Sequence, residues 1–422
     1  HKETADKKVL ENEYYAIEVE ENGSLTIVDK ANNVTYKNQG ILVENGDDGD
    51  SFNYSPPRKD MEVFSNESKC TVKISGSDIY DQAEIHFDMV VPADLDERAE
   101  GKVSVTMLVD MTVALRKDSK VIDFNVKVDN KGLSHRLCVL FDSQIVSAFN
   151  YADQQFGLIK RPNYYEKEMK LYMESMNNKT EKKAGIQELA NWANDQSTWQ
   201  EPPISIEPTQ SYVSLTDGKT GIAVIPQGVR EYEVLDDSKI RLTLFRTYGF
   251  MGKENLIYRP GRASGERIIE TPAAQLLKEM EFNFGFTSYA GDINDSDIDT
   301  LAKQYNTNLE VYTYAEFLNG RLIFSQREIE GQNAKIHSLF ETEGNLVVSA
   351  VKKAEEDDGY IIRLYNGKDH KDLDDKIKFN FDIKEAYYTN LKEEKTEEIK
   401  VENNTISVKE LSHCKFVTIW VK

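Results

Sequence analysis

Cysteine is scarce: Cys70, Cys138 and Cys414 are an odd number of thiols, far apart in the chain. They form no Cys-x-x-Cys pair, so neither a disulfide framework nor a structural zinc site is suggested. A reducing, cytoplasmic interior suits this usage best. Positive charge is short as well. Against 73 Asp and Glu stand 52 Lys and Arg, a net charge of −21 and a pI near 4.9. A phosphate-binding surface needs excess Lys and Arg, so nucleic acid and anionic membrane surfaces are poor partners. No uncharged apolar run approaches the roughly 18–20 residues of a membrane helix. The opening residues HKETADKK contain no apolar h-region, which argues against a signal peptide. The chain starts at His1 rather than Met, and reads as processed or as a piece of something longer. Sequons such as Asn33-Val-Thr35 occur, but they matter only in a secreted chain. No internal repeat of solenoid or propeller period is visible.

What is present is aromatic and strongly alternating. With 21 Tyr, 18 Phe and 3 Trp in 422 residues, the chain is too aromatic for an unfolded acidic polymer. Its length suits two or three domains. Val103, Val105, Met107, Val109, Met111, Val113 and Leu115 fall on one side of a two-residue repeat. After the turn RKDSK, Ile122, Phe124, Val126 and Val128 do the same. Successive strand side chains point to opposite faces, so this pattern predicts an antiparallel hairpin with one buried face. Asn22-Gly23 and Asp217-Gly218 each separate two further alternating runs, the strongest short-range hairpin signal. KIRLTLFRTYG, EMEFNFGFTSY, NLVVSAVKKAEEDDGYIIRLYN, KIKFNFDIKEAYYTN and KFVTIWVK extend the pattern toward the C-terminus. Helical patterning is confined to EKKAGIQELANWAND and SDIDTLAKQYN. The expected class is all-β. The polar, acidic stretch GDINDSDIDT suggests a boundary within 291–310, the segment 160–210 reads as irregular, and EKTEEIKVENN reads as a solvated, hairpin-like surface stretch.

Several motifs imitate chemistry without its full requirements. His86-Phe87-Asp88 has zinc-ligand spacing on one strand face, but no third or fourth ligand is near in sequence, and the segment alternates as a strand. The run DINDSDIDT resembles a calcium loop, yet it lacks Gly at the sixth position and carries Lys303 at the twelfth. Ser264 in GRASGE is not in a G-x-S-x-G elbow. His135, at the entry of GLSHRLCVLF, fits a hydrogen-bonded structural histidine better than a catalytic one.

Two segments stay open to both a structural and a functional reading. ENGDDGDSFNYSPP carries Asp47, Asp48, Asp50, Phe52 and Tyr54 between flexible glycines and a rigid Pro56-Pro57 end. Carboxylates accept hydrogen bonds from sugar hydroxyls and aromatic faces stack on sugar C–H patches. The same composition also describes a turn rich in local Asp-to-backbone bonds. In ENLIYRPGRASGERIIETP, Arg259 and Arg262 flank Pro260-Gly261, a turn that would project both guanidiniums at one rim. Planar donors there suit polyols or carboxylates, and equally suit an acidic protein balancing its surface.

With these segments in view the chain resembles the C-terminal β-region of glycoside hydrolase family 38, the α-mannosidases, in particular the bacterial branch. The matching pieces, in order, are ENGSLTIVDKANNVTY, ENGDDGDSFNYSPP, GLSHRLCVLF, ADQQFGLIKRP, ENLIYRPGRASGE with TPAAQ, and VVSAVKKAEEDDGYIIRLYN. The resemblance implies a large β-sandwich of the galactose-mutarotase-like kind (a supersandwich) over 1–300 and a smaller β-sandwich over 301–422. It implies a retaining, metal-dependent α-mannosidase whose catalytic aspartates and most or all metal ligands lie upstream. No catalytic residue and no metal ligand is then expected in this chain. Zinc or another divalent metal belongs to the parent enzyme's N-terminal domain. The family's metal motif, His-x-Asp followed by Trp, is not matched by His86-Phe87-Asp88-Met89. Retention needs two carboxyls about 5–5.5 Å apart, and no pair is evident by spacing.

The expected partners are the chain's own N-terminal catalytic domain, an α-mannoside and, in a homo-oligomer, further copies of itself. Substrate-binding positions implied by the resemblance are Asp50, Phe52, Tyr54, Arg259 and Arg262. Phe52 approaches the sugar where relatives often carry Tyr, and Arg262 is the arginine nearest the active site. The competing expectations are a free-standing carbohydrate-binding β-sandwich and a structural or partner-binding sandwich without ligand.

Overall fold

Alternation in the sequence becomes pairing in the structure. Val105–Arg116 and Ile122–Asp129 run antiparallel, with Phe124 opposite Val113 and Val126 opposite Met111. Met107, Val109, Met111, Val113 and Leu115 are buried on one face, while Val103 falls before the strand and stays exposed. Tyr15–Val19 pairs with Leu25–Asp29 across Asn22-Gly23, where Gly23 takes a positive φ of 81°. Val213–Thr216 pairs with Thr220–Gln227 across Asp217-Gly218. The computed structural model describes residues 9–179, 201–259, 268–310, 338–369 and 371–422, with the side chains of 175–179 excepted.

The chain divides into two compact units, His1–Asp153 with Ile159–Tyr305, and Gln154–Leu158 with Asn306–Lys422. Among the described residues of the first, a nine-stranded antiparallel sheet is ordered Gly157–Pro162, Phe149–Gln154, Val213–Thr216, Thr220–Gln227, Glu279–Ala290, Ile122–Asp129, Val105–Arg116, Tyr80–Val91 and Lys69–Gly76. A six-stranded sheet is ordered Glu207–Pro208, Glu231–Leu235, Lys239–Arg246, His135–Asp142, Ile41–Gly46 and Val63–Phe64. A four-stranded sheet comprises Val9–Glu11, Tyr15–Val19, Leu25–Asp29 and Val34–Gln39.

One core joins all three sheets. Its centre is aromatic: Phe124 stacks on Phe284 at 5.2 Å and Phe141 on Phe286 at 5.3 Å. Tyr36 meets Phe286 edge-on at 5.9 Å. Offset and edge-on aromatic pairs each add about 0.5–1.5 kcal/mol beyond the area they bury. In the second unit, sheets of four and five strands face each other over a separate core that includes Leu364, Ile377, Ile406 and Ile419. The fold is all-β: a large β-sandwich followed by a smaller one, as the sequence leads one to expect.

Departures from the sequence reading have local causes. Glu166–Lys179 is a helix inside the stretch read as irregular; its residues are good helix formers but lack a wide apolar stripe, so periodicity did not reveal it. A six-residue helix, Leu95–Glu100, starts where Asp94 accepts from the amides of Asp96 and Glu97 and stops at Gly101 with φ 69°. The expected helix at SDIDTLAKQYN is present as Ile298–Asn306; the other, over 181–195, lies outside the described residues. The charged stretch read as one hairpin is split between sheets. Lys395–Glu398 pairs with Ala386–Thr389, whereas Val401–Glu402 turns at Asn403-Asn404 onto Thr405–Leu411. Among the described residues no helix is long and apolar enough to cross a membrane.

The stacked centre sets an expectation for stability. Phe124→Ala removes a fully buried ring from contact with Phe141 and Phe284 and should destabilise the first unit by about 3–5 kcal/mol. Urea unfolding followed by near-ultraviolet circular dichroism measures this, and a loss below about 1 kcal/mol would contradict a core this tightly packed.

Candidate functional site

The strand His135–Asp142 is covered on both faces. Leu137, Val139 and Phe141 enter the core; Arg136 and Cys138, on the other face, are also buried. A charge cannot be buried without partners, and those of Arg136 are specific. Its Nε donates to Asn45 Oδ1 at 3.0 Å and its Nη2 to Glu233 Oε1 at 2.9 Å. Its guanidinium carbon lies 3.9 Å from the centre of the Tyr54 ring. Glu233 also meets Arg241 at 3.4 Å, and Arg241 pairs with Glu62. The outer face of the six-stranded sheet is therefore a buried ionic layer, roofed by the loop that leaves Ile41–Gly46.

That loop is the ENGDDGDSFNYSPP segment, and each of its three aspartates is matched by a base at the end of Lys239–Arg246 or in the segment that follows it. Asp47 takes Arg246 Nε at 2.7 Å and Nη2 at 3.1 Å, in bidentate geometry. Asp48 pairs with Lys253, and Asp50 with Arg259. Arg246 Nη2 also donates to the carbonyls of Asp50 at 3.0 Å and Asn53 at 2.8 Å, closing the turn. Asp50 Oδ1 accepts from the amides of Phe52 at 2.9 Å and Asn53 at 3.0 Å; its Oδ2 accepts from the Lys253 amide at 2.8 Å. Burial works to raise the Asp50 carboxyl, but the bonds from Arg259, Asn53 and Phe52 outweigh it and hold it below its ordinary value. For Asp47 burial wins over Arg246, and the carboxyl is pushed up. Gly49 is required by space, since a Cβ there would lie 2.0 Å from the Asn53 carbonyl oxygen.

The five residues singled out from the sequence thus have different surroundings. Asp50 and Arg259 are buried against each other, so Arg259 turns inward and does not project at a rim. Arg259 also pairs with Asn53 Oδ1 and donates from Nη2 to the Lys253 carbonyl at 3.1 Å. Tyr54 is buried: its ring lies against Arg136, edge-on to Tyr258 at 5.9 Å, and its hydroxyl accepts from Asn45 Nδ2 at 3.1 Å. Phe52 is 57% exposed at the tip of the loop. Arg262 lies outside the described residues. Arg136, Arg241, Arg246 and Glu233 escaped the sequence reading. Their signal was there, as charged residues inside strands whose neighbours are almost all apolar.

The other candidates resolve structurally. His135 is buried, its Nδ1 2.9 Å from Glu44 and its Nε2 2.8 Å from Asn130, and Glu44 also pairs with the buried Arg98. His86 lies on the outer face of the nine-stranded sheet, 2.6 Å from Asp110 and 3.3 Å from Asp88. Both its ring nitrogens face carboxylates, which suits an imidazolium and not a metal ligand. Asp292 caps the turn Ile293–Asp295, Asp297 pairs with Lys120 and Asp299 accepts from the Tyr212 hydroxyl, so these acids of the calcium-like run are spent on the fold. Among the described residues no group of three or more His, Cys, Asp and Glu is placed to hold a metal ion.

Chemically, the braced loop offers no free carboxylate. What it presents is one exposed aromatic side chain, Phe52, on a loop whose aspartates are all paired.

Comparison with known proteins places this geometry in context. Residues 10–250, more than half of the chain, match the family model described as the glycosyl hydrolases family 38 C-terminal domain, and residues 345–418 match the model of that family's C-terminal beta sandwich domain. A protein of Halalkalibacterium halodurans bearing the name "Putative mannosylglycerate hydrolase" is 24% identical over 420 residues, 95% of this chain and 40% of that protein. Two solved structures from Enterococcus faecalis superpose with TM-score 0.74 at 20% identity. One, a protein in glycosyl hydrolase family 38, is matched over 100% of this chain and 44% of its own; the other, an alpha-mannosidase, over 99% and 42%. The chain therefore spans about two-fifths of the length of these relatives.

Two outcomes test the site's electrostatics. Arg259→Met leaves the buried Asp50 charge without its partner, which should cost about 3–5 kcal/mol and be read as faster amide exchange at Phe52 and Asn53. Because the Asp50 carboxyl is held low, its contribution is intact above the ordinary carboxylate value of 3.8 and fades as pH falls through the folded value. The Arg259→Met effect should therefore shrink in acid, and equal exchange of variant and parent at neutral pH would refute the brace. For His86, the bond to Asp110 outweighs burial and raises its pKa above 6.5. That pairing is complete below 6.5 and is lost as pH rises through the folded value; a proton NMR titration should show the raised midpoint, and Asp110→Asn should lower it.

Proposed function

This chain belongs to glycosyl hydrolase family 38, as its C-terminal region, and from that premise we propose that it is the non-catalytic β-region of a retaining, metal-dependent α-mannosidase. Its task is to support the catalytic domain and to complete the wall of the substrate pocket. The observation that carries the reading is Phe52, an exposed aromatic on a loop whose acids are all neutralised by arginine and lysine. A ring carried on so braced a loop can stack on the C–H face of a hexose with little backbone ordering cost. Asp50, Arg259 and Tyr54 act in this reading as positioning residues that fix Phe52. Arg262 is the residue proposed to reach the substrate through its planar donors.

Retention requires a nucleophilic and an acid/base carboxyl flanking the scissile bond. In this proposal both belong to the part of the polypeptide outside this chain. So do the ligands of a zinc or similar divalent ion, which would supply positive charge to a sugar oxygen. The relatives' names, an alpha-mannosidase and a "Putative mannosylglycerate hydrolase", favour an α-mannoside as substrate. Cysteine usage favours a cytoplasmic enzyme, and the pocket-completing role is compatible with a homo-oligomer.

In the intact polypeptide, Phe52→Ala and Arg262→Ala should each lower kcat/KM on a chromogenic α-mannoside about tenfold, a loss of ~1.4 kcal/mol of transition-state binding, without moving the thermal midpoint. Unchanged kinetics in both would refute the pocket role. Calorimetry with methyl α-mannoside on this chain alone separates the alternative: micromolar binding would identify a free-standing carbohydrate-binding sandwich instead.

A further inference from the structure

The outer face of the nine-stranded sheet carries a surface that the reading above does not use. On Tyr80–Val91, Val105–Arg116 and Ile122–Asp129, one set of alternate residues, among them Ile85, Met111 and Val126, is committed to the core. Strand register aligns the other set in rows that continue onto the edge strand Lys69–Gly76. Thr71 lies opposite His86, His86 opposite Asp110, and Asp110 opposite Lys127. Two residues along the strands, Lys73 lies opposite Glu84, Glu84 opposite Thr112, and Thr112 opposite Asn125. Both rows line one open cleft of about 460 Å³. Such a volume lies within the roughly 300–1,000 Å³ usual for small-molecule sites. The array is ordered by its own bonds. His86 Nδ1 lies 2.6 Å from Asp110, and Asn125 Nδ2 donates to Glu281 Oε1 and Asn283 Oδ1, each at 2.7 Å.

The chemistry of the walls selects the ligand. Lys73 and Lys127 balance Glu84 and Asp110, in a chain whose net charge is −21. A phosphate or sulfate ester needs an excess of positive charge, which this balance denies it. A divalent cation needs convergent oxygen ligands, and among the described residues no group of three or more His, Cys, Asp and Glu is placed to supply them. No phenyl, phenol or indole ring lines the cleft, so a flat aromatic ligand finds nothing to stack on. What the walls offer is hydroxyl, amide, carboxylate, ammonium and imidazole groups side by side, donors next to acceptors. A neutral ligand rich in hydroxyls, each of them both donor and acceptor, answers both kinds of group without bringing charge.

We propose that this cleft binds a neutral saccharide, a mannose-containing disaccharide or longer chain, through hydrogen bonds from the two rows. That the ligand is a saccharide follows from the walls; that its sugar is mannose rests on the glycosidase reading above. Asp110 and Thr112, on the central strand of the four, sit where both rows can reach one ligand. Binding of this kind is weak, in the millimolar range, because each hydrogen bond to the sugar replaces one to water and no ring adds stacking. A second copy of this chain is a poorer occupant, since it would bring another −21 of charge to the contact.

An NMR titration of this chain with α-1,2-mannobiose reads the site directly. The His86 ring and the Asn125 side-chain amide should shift saturably, with a midpoint in the millimolar range. Asp110→Ala, at an exposed position, should raise the Asn125 midpoint about tenfold, and Phe52→Ala should leave it unchanged. Shifts that do not saturate would overturn the proposal, and so would an Asn125 midpoint that Asp110→Ala does not move. Glycerol producing the same shifts at equal hydroxyl concentration would overturn it as well, by reducing the response to an effect of solvent. Shifts that grow with protein concentration in the absence of sugar would make a second copy the occupant and sink the saccharide. The chromogenic α-mannoside assay on the intact polypeptide decides the glycosidase reading separately. Saturable mannobiose binding without that activity keeps the cleft and sinks the reading; activity without binding keeps the reading and sinks the cleft.

Discussion

The arrangement depends on a layer of buried charge on the outer face of the six-stranded sheet. Arg136, Arg241, Arg246 and Arg259 are met by Glu233, Glu62, Asp47 and Asp50 across a few ångströms. Such pairs add little net stability over apolar side chains of similar volume, because desolvation of both charges offsets their attraction. What they contribute is exclusivity. An apolar roof would tolerate several packings, whereas a carboxylate that must meet four donors, as Asp50 must, tolerates one. The Phe52 loop is held by these ion pairs together with the buried Tyr54 ring.

In the role proposed for this chain, the ion pairs and Phe52 have separate tasks. Aspartates that look like sugar ligands in the sequence are internal struts, and the side chain they orient is an unremarkable phenylalanine. In that proposed role a loop braced in advance suits a pocket whose reacting groups sit on another body. Each side chain frozen in advance spares about 0.5–1.5 kcal/mol of ordering when a ligand arrives.

The fold was largely legible because burial in a sheet imposes a period of two, which residues such as Val109, Met111, Phe124 and Val126 display without exception. The Glu166–Lys179 helix was not legible, because a polar sequence shows no apolar stripe; among its described side chains Tyr172 alone is buried. At the site the sequence singled out the loop and Arg259, and one of its two readings of the loop, a turn rich in Asp-to-backbone bonds, describes the bonds that Asp50 makes. It could not say that Arg259 turns inward, since a guanidinium's direction depends on a partner 209 positions away. Arg136 and Arg246 were hidden for the opposite reason: a lone charge in an apolar strand reads as a surface position until both faces of the strand are known to be covered.

The same strand carries both demands, and this couples the site to the core. His135–Asp142 sends Leu137, Val139 and Phe141 to one side and Arg136 and Cys138 to the other. A slip of one residue would drive Arg136 among the stacked phenylalanines and lift Leu137 into the charge layer, so the register is fixed from both faces at once. The bulge against Lys239–Arg246, between Leu137 and Cys138, occurs next to Arg136. An extra residue on the partner strand there, Leu244, shifts the alternation so that Phe245 still joins the core while Arg246 reaches Asp47. Removing that irregularity would leave either the core or the brace satisfied, but not both, which ties the aim of the Phe52 loop to aromatic packing on the far side of the sheet.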